Sequence, residues 1–281
     1  FQDHLVYLMC QDILDQFDQP YPTNGMTYDE IYELTPKVMG QSGTVTYKGY
    51  TQHPDQYLDR NQLGLMPIVP GDSEEPTLEA IKASVDITTD EWLRLVENMY
   101  RFLALPGNNF ITTDDFFQKA NYAMAVDNVN KIPLYLMEEG YLEEGDIPVY
   151  ETWVDKLQNI GVASMPILSE EENWTYQPNV MTAHVTNQSD KKEQAMQVIE
   201  WLVSEEAQLQ LSRNLLKAVI ETDEVIAQFG ADLETASNIE GLGEAVYWGE
   251  NASVQNYENT EWPDERFPLY FVFRENILQN G

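Results

Sequence analysis

Apolar residues recur at helical spacing in several stretches, and each stretch is opened or closed by residues with a capping role. Thr27-Tyr28-Asp29-Glu30 is a capping-box sequence, in which Thr27 can accept from the Glu30 amide while Glu30 reaches back. Ile31, Leu34 and Val38 then share one face, and Pro36 removes an amide donor, so this helix is expected to kink or end early. Thr88-Thr89-Asp90-Glu91 reads as a second capping box. Trp92, Leu95, Val96, Met99 and Leu103 follow it at helical spacing, and Pro106-Gly107 is the stop. A third helix opens at Ser189-Asp190 with an apolar row of Ala195, Met196, Ile199, Leu202 and Val203, expected to face a core. Ser204-Glu205-Glu206 starts a further helix through Leu211 and Leu215, its acids in the first turn where the helix dipole favours them. A short helix over 223–229 ends at Gly230, a left-handed cap.

Between the helices lie strand-like runs at 44–50, 122–126, 162–168 and 179–186. Strands alternating with helices predict an α/β protein. No internal repeat or low-complexity segment interrupts the pattern, and the Pro- and acid-rich stretch 69–76 reads as a surface excursion.

Composition narrows the function. The chain has 281 residues, 43% hydrophobic, enough for one large core and more naturally for two lobes. Forty-eight acidic residues against 15 basic ones give a formal charge of −33. That field repels phosphate backbones and anionic lipid, which argues against nucleic-acid binding and a basic membrane patch. Cys10 stands alone, so no internal disulfide and no multi-cysteine zinc site can form. The chain starts at Phe1-Gln2-Asp3-His4 without an initiator Met, and its natural N-terminus is expected to lie further upstream.

Motifs for chemistry are weak. Gly241-Leu242-Gly243 lacks the third glycine of a dinucleotide loop, and Gly40-Gln41-Ser42-Gly43 is not a nucleophile elbow. His4, His53 and His184 share no metal-ligand spacing. Asp59-Arg60-Asn61-Gln62-Leu63-Gly64 has part of a calcium loop, but Leu63 stands where an oxygen is needed, so it reads as a polar turn. Close carboxylate pairs arise by chance among 48 acids, and the three glycosylation sequons are expected by chance in the same way. No catalytic centre is visible, no metal or cofactor is expected, and binding is favoured over chemistry.

Several blocks, in order, carry a resemblance. Leu5-Val6-Tyr7-Leu8-Met9-Cys10-Gln11-Asp12-Ile13-Leu14 runs on through Pro20-Tyr21-Pro22 to Gly25-Met26-Thr27-Tyr28-Asp29-Glu30. Tyr47-Lys48-Gly49-Tyr50, Phe116-Phe117-Gln118-Lys119-Ala120-Asn121-Tyr122-Ala123-Met124 and Met165-Pro166-Ile167-Leu168 follow. Ser189-Asp190-Lys191-Lys192-Glu193-Gln194-Ala195, continuing to Trp201-Leu202-Val203-Ser204-Glu205-Glu206-Ala207-Gln208, is the strongest. In this order they resemble family 1 extracellular solute-binding proteins of ABC importers, the sugar-binding lipoprotein class that includes maltose-binding protein.

The resemblance implies an α/β fold of the periplasmic-binding-protein-like type II, two lobes around a cleft, with mostly the second lobe present. Residues 1–25 would be the crossover from a missing N-terminal lobe, 26–110 the first part of the second lobe, and 111–135 a return into the first lobe. Residues 136–281 would be the remainder of the second lobe and a tail, with C-terminal helices missing. It further implies capture of a carbohydrate, an oligosaccharide above all, for ABC permease subunits. The setting would be extracellular, on a Gram-positive cell surface, lipid-anchored through the missing N-terminal segment, the full-length protein being a monomer. An acidic secreted glycosidase and a non-catalytic surface interaction domain stand as alternatives. As a fragment, the chain is expected to bind sugar weakly, and the strand at 122–126 to expose an edge.

Three loops just after strands are the implied ligand positions, where open α/β sheets place ligands. The first offers Gln52, His53 and Tyr57, the second Asp127, Asn128 and Asn130, and the third Trp174 and Tyr176. Trp248 and Trp262 follow in the tail. Aromatic rings stack on sugar faces, and Asp, Asn and Gln pair with hydroxyls. A simple turn at Asp127-Asn128 and a surface anchor at Trp174 are the plain alternatives.

Overall fold

The computed structural model describes residues 2–58, 60–65, 68–69, 84–85, 87–106, 121–132, 159–170, 175–176 and 179–249. In chain order its strands are β1 (Gln2–Asp3), β2 (Leu5–Cys10), β3 (Gly40–Ser42), β4 (Val45–Gln52), β5 (Ile68–Val69), β6 (Ser84–Val85), β7 (Tyr122–Asn128), β8 (Ile160–Ser164) and β9 (Asn179–Val180). The helices used below are α1 (Gln11–Gln16), α2 (Tyr28–Leu34), α3 (Pro54–Leu58), α4 (Asp90–Leu103), α5 (Lys192–Leu202), α6 (Glu205–Arg213), α7 (Asp223–Ala227), α8 (Glu234–Ser237) and α9 (Leu242–Val246).

Five strands form the main sheet in the order β3-β4-β7-β2-β8, while β1 pairs with β9 and β5 with β6. β2 runs antiparallel to both β7 and β8, whereas β4 runs parallel to β7. The carboxyl ends of β4, β7 and β8 therefore meet the amino end of β2 on one side of the sheet. Leu5–Cys10 is buried throughout, and so is β7 up to Asp127. Burial on both faces explains why these strands read as continuous apolar runs instead of alternating ones.

Thr27 caps α2 through the expected reciprocal box, accepting from the Glu30 amide at 3.2 Å while the Glu30 carboxylate accepts from the Thr27 amide at 2.7 Å. Pro36 ends the α-helix early: the chain tightens into a 3₁₀ turn over Thr35–Val38. That turn lies so close to β4 that a Cβ on Gly49 would stand 2.5 Å from the Thr35 carbonyl oxygen. Tyr28, Tyr32 and Tyr50 surround Phe102 of α4, the Tyr50 ring centroid at 4.7 Å. Ser204 and Thr222 cap α6 and α7, and Gly230 adopts the expected left-handed φ of +75°. Gly43 turns the β3–β4 hairpin at φ +60°. Gly243 is required for packing, because a Cβ there would meet the Ile226 carbonyl.

Five expectations are corrected. The cap of α4 is Thr89, whose hydroxyl accepts from the Trp92 amide, one residue later than read. Strand pairing at 179–186 is confined to Asn179–Val180, and at 162–168 it covers Ile160–Ser164 instead. The apolar row of α5 faces no core: none of its residues is buried, and Met196, Val198, Trp201 and Val203 are exposed. The strand at 122–126 exposes no edge, because β7 sits between β4 and β2. Residues 70–76 lie outside the described residues.

Candidate functional site

The side of the sheet where β4, β7 and β8 end gathers polar residues from across the sequence. At the end of β4, Gln52 is buried and its Oε1 accepts from Tyr28 Oη at 3.0 Å and from Tyr50 Oη. Its Nε2 is buried without a hydrogen-bond partner, and so is Oε1 of the neighbouring Gln56. Tyr57 packs against Tyr28 with ring centroids 5.7 Å apart and bonds to Tyr50. Burial pushes the phenols of Tyr28, Tyr50 and Tyr57 up from their ordinary range, so they remain neutral donors. His53 follows, half-buried.

At the end of β7, Asp127 is buried, and its Oδ1 accepts from the Asn128 amide at 2.7 Å. Lys131 stands 3.2 Å from the same carboxylate, one helical turn on. Asn128 Oδ1 accepts from the Arg60 guanidinium at 3.2 Å. Arg60 in turn lies 4.7 Å over the ring of Tyr176, a cation–π contact. Tyr176 is fully buried, and its hydroxyl accepts from the Leu5 amide at 2.9 Å. His4, at the entry to β2, packs edge-on against that ring at 5.1 Å. Burial first, then the charges of Lys217 and Arg60, hold the His4 imidazole well below its usual range, so it is neutral. Lys217 is itself buried, 5.0 Å over the Tyr247 ring and 3.5 Å from Glu221.

At the end of β8, the Ser164 amide donates to Asn24 Oδ1 at 2.7 Å, and its hydroxyl accepts from the Gly25 amide at 2.9 Å. Trp248 lies against that glycine; a Cβ there would come within 2.6 Å of the indole. Gln62 latches the neighbouring loop, donating to the Pro166 carbonyl and accepting from the Leu168 amide at 2.8 Å.

Of the residues singled out by sequence, Asn128 and Tyr176 thus meet through Arg60, Asp127 joins them through the Asn128 amide, and Gln52 and Tyr57 meet in the tyrosine cluster. Trp248 sits at the β8 end. Asn130 is half-buried in the 3₁₀ turn after β7. Trp174 and Trp262 lie outside the described residues. Arg60 and Gln62 carry no sequence signal beyond a polar turn, and His4 none because it has no metal-ligand spacing. Asn61 does hold that turn, through Leu58 and Leu65. Among the described residues no group of three or more His, Cys, Asp or Glu could hold a metal ion, and no helix is long and apolar enough to cross a membrane.

The fold is α/β and periplasmic-binding-protein-like, that of the solute-binding proteins of ABC transporters. A sugar transporter from Rhizobium etli, solved in an open conformation, matches with a TM-score of 0.62 at 15% identity, over 90% of this chain and 60% of its own. The maltose/maltodextrin-binding domain MalE from Bdellovibrio bacteriovorus, bound to maltotriose, matches with 0.53 at 14% identity, over 99% of this chain and 66% of its own. A maltose-bound MalE protein of T. maritima gives 0.54 at 15%, over 99% and 65%. The chain therefore spans about two thirds or less of the length of the structures it resembles. No protein-family model and no curated protein matches it.

Proposed function

We propose that the chain is the carbohydrate-capturing part of an extracellular, substrate-binding component of an ABC importer, which delivers its ligand to a permease. The observation that carries this reading is the polar assembly at one side of a solute-binding-protein fold. There Gln52, Asp127, Asn128, Arg60 and Tyr176 converge at strand ends from far apart in sequence. The orphaned Gln52 Nε2 and Gln56 Oε1 are a donor and an acceptor of the kinds that sugar hydroxyls satisfy. The protein is read as a binder and not an enzyme. In this reading the chain is part of a longer, two-lobed, lipid-anchored and monomeric protein. Residues 1–25 cross from its first lobe, 26–110 and 136–281 belong to the second, and 111–135 return. The unburied apolar row of α5 supports a further covering element. Intrinsic tryptophan fluorescence and calorimetry against a panel of neutral and acidic oligosaccharides test it. Saturable binding without turnover is expected; hydrolysis of any sugar would favour the glycosidase alternative. Failure of the whole panel would favour a surface interaction domain.

A further inference from the structure

In the register of the main sheet, Asp127 and Ser164 both pair with Val6 of β2, one from each side, and Gln52 pairs with Val126, next to Asp127 in β7. The polar ends of β4, β7 and β8 therefore lie along one row. Neighbouring strands stand about 4.8 Å apart, so two spacings, about 10 Å, separate the backbones of Asp127 and Ser164. A single pyranose ring does not bridge that gap, whereas linked rings do.

At the Ser164 end the row finishes in an aromatic ring. Ser164 fastens the loop before α2 twice, its amide donating to Asn24 Oδ1 at 2.7 Å and its hydroxyl accepting from the Gly25 amide at 2.9 Å. The Ile167 amide donates to the Met26 carbonyl at 3.0 Å and the Tyr28 amide to the Ile167 carbonyl at 2.9 Å, so the chain is held on both sides of Gly25. Gly25 has φ +80°, and a Cβ there would stand 2.6, 3.2 and 3.3 Å from Cζ2, Cη2 and Cε2 of Trp248. The six-membered ring of the indole thus packs directly on the bare glycine backbone. The backbone that carries Trp248 is fixed as well: α9 buries Leu242, Ala245 and Val246, and the Tyr247 hydroxyl accepts from the Ala218 amide at 3.0 Å. The indole itself is only half-buried. A large aromatic ring backed rigidly and left partly open to solvent offers a stacking surface that costs little to order.

Resting on the carbohydrate reading, we infer that Trp248 forms an outer subsite, that Gly25 is the residue that positions it, and that the ligand is an oligosaccharide. One ring of the ligand exchanges hydroxyl contacts with the Gln52 and Asp127 end of the row, and a later ring lies on the indole. Gly25 acts through Trp248 and not on the sugar: any side chain there displaces the indole from the end of the row.

The 281-residue chain is labelled with fluorotryptophan, and Trp248→Phe assigns the Trp248 signal among its six tryptophans. Calorimetry and fluorine NMR then follow titrations with mono-, di- and trisaccharides of glucose, mannose and galactose. Affinity should rise at least tenfold, about 1.4 kcal/mol, from the monosaccharide to the trisaccharide of the series that binds. The Trp248 signal should move with the longer sugars. Trp248→Ala should remove the rise with length. Gly25→Asn should remove it too, because Asn accepts a left-handed φ but brings the Cβ that meets the indole. Ser164→Ala, which releases the Gly25 amide, should lower the same ratio and serves if Gly25→Asn does not fold. Equal affinity for mono- and trisaccharides, or a rise that survives Trp248→Ala, would overturn the subsite and leave the carbohydrate reading standing. If the Gly25 and Ser164 variants weakened every length alike, Gly25 would be holding the loop and not the indole, and its positioning role would fail. If no sugar bound, the carbohydrate reading and the subsite would fall together.

Discussion

Removing the Asp127 carboxylate should destabilise the chain less than removing the Lys131 ammonium beside it. Asp127 is 1% exposed, while Lys131, at 37%, keeps much of its hydration. In Asp127→Ala the Asn128 amide loses a charge-assisted acceptor at 2.7 Å, and Lys131 relaxes into solvent. That loss is about 2 kcal/mol, between the values for an unmet donor and a hydrogen bond to a charge. In Lys131→Ala the carboxylate stays buried and keeps the Asn128 amide, but loses the Lys131 ammonium beside it. Fully buried pairs broken in this way cost about 3–5 kcal/mol, and the partial exposure of Lys131 brings the expectation down to about 2–3 kcal/mol. Asp127→Asn keeps the volume and an acceptor, so together with Lys131→Ala it should recover about 1 kcal/mol relative to Lys131→Ala alone. Urea unfolding followed by circular dichroism gives each value, and a double-mutant cycle gives the coupling. Additive single costs, or an Asp127→Ala variant within about 0.5 kcal/mol of the parent, would show that the pair contributes nothing at this strand end.

Gly49→Ala should destabilise by about 1–3 kcal/mol in the same urea assay, because its Cβ would meet the Thr35 carbonyl backbone; a wild-type midpoint would contradict the close approach of the 3₁₀ turn to β4. Because burial, Lys217 and Arg60 lower the His4 pKa in the folded chain, the unfolded chain takes up its proton first as pH falls. The stability due to neutral His4 is complete above about pH 6.5 and declines below it, by up to about 1.4 kcal/mol per pH unit, until the folded value is reached. His4→Gln should flatten that part of the urea-midpoint profile between pH 7.5 and 5; an unchanged slope would refute a neutral buried His4. The exposed row on α5 should drive self-association at high concentration, and Val198→Lys with Trp201→Glu should reduce it in light scattering; equal scattering from both proteins would exonerate that face.

Local signals in the sequence translated well where one residue decides the outcome. Thr27 and Glu30 cap each other, Pro36 stops its helix and Gly230 takes the left-handed turn. Two adjacent threonines left the α4 cap ambiguous, and only the backbone at Thr89 resolved it. The apolar row of α5 shows why amphipathicity alone does not locate a core: periodicity reports a face able to pack, not what packs on it. β2 carries no strand signal of its own in the sequence, because a strand buried on both faces shows no alternation. Positions at strand ends, Gln52, Asp127 and Asn128, could be chosen from the sequence. Arg60 could not, since it reaches Asn128 across 68 positions, and Gln62 reaches Leu168 across 106.

The central claim is that the ligand sits where β4, β7 and β8 end. Backbone amide NMR of the chain, recorded with and without a carbohydrate that binds it, tests this most directly. The account predicts the largest shifts at Gln52–His53, Arg60–Gln62, Asp127–Asn130 and Tyr176, with the opposite end of the sheet, around Cys10 and Ile160, unmoved. Shifts centred on Cys10, on the β3–β4 hairpin or on α5, with the Asp127 and Arg60 regions silent, would contradict it.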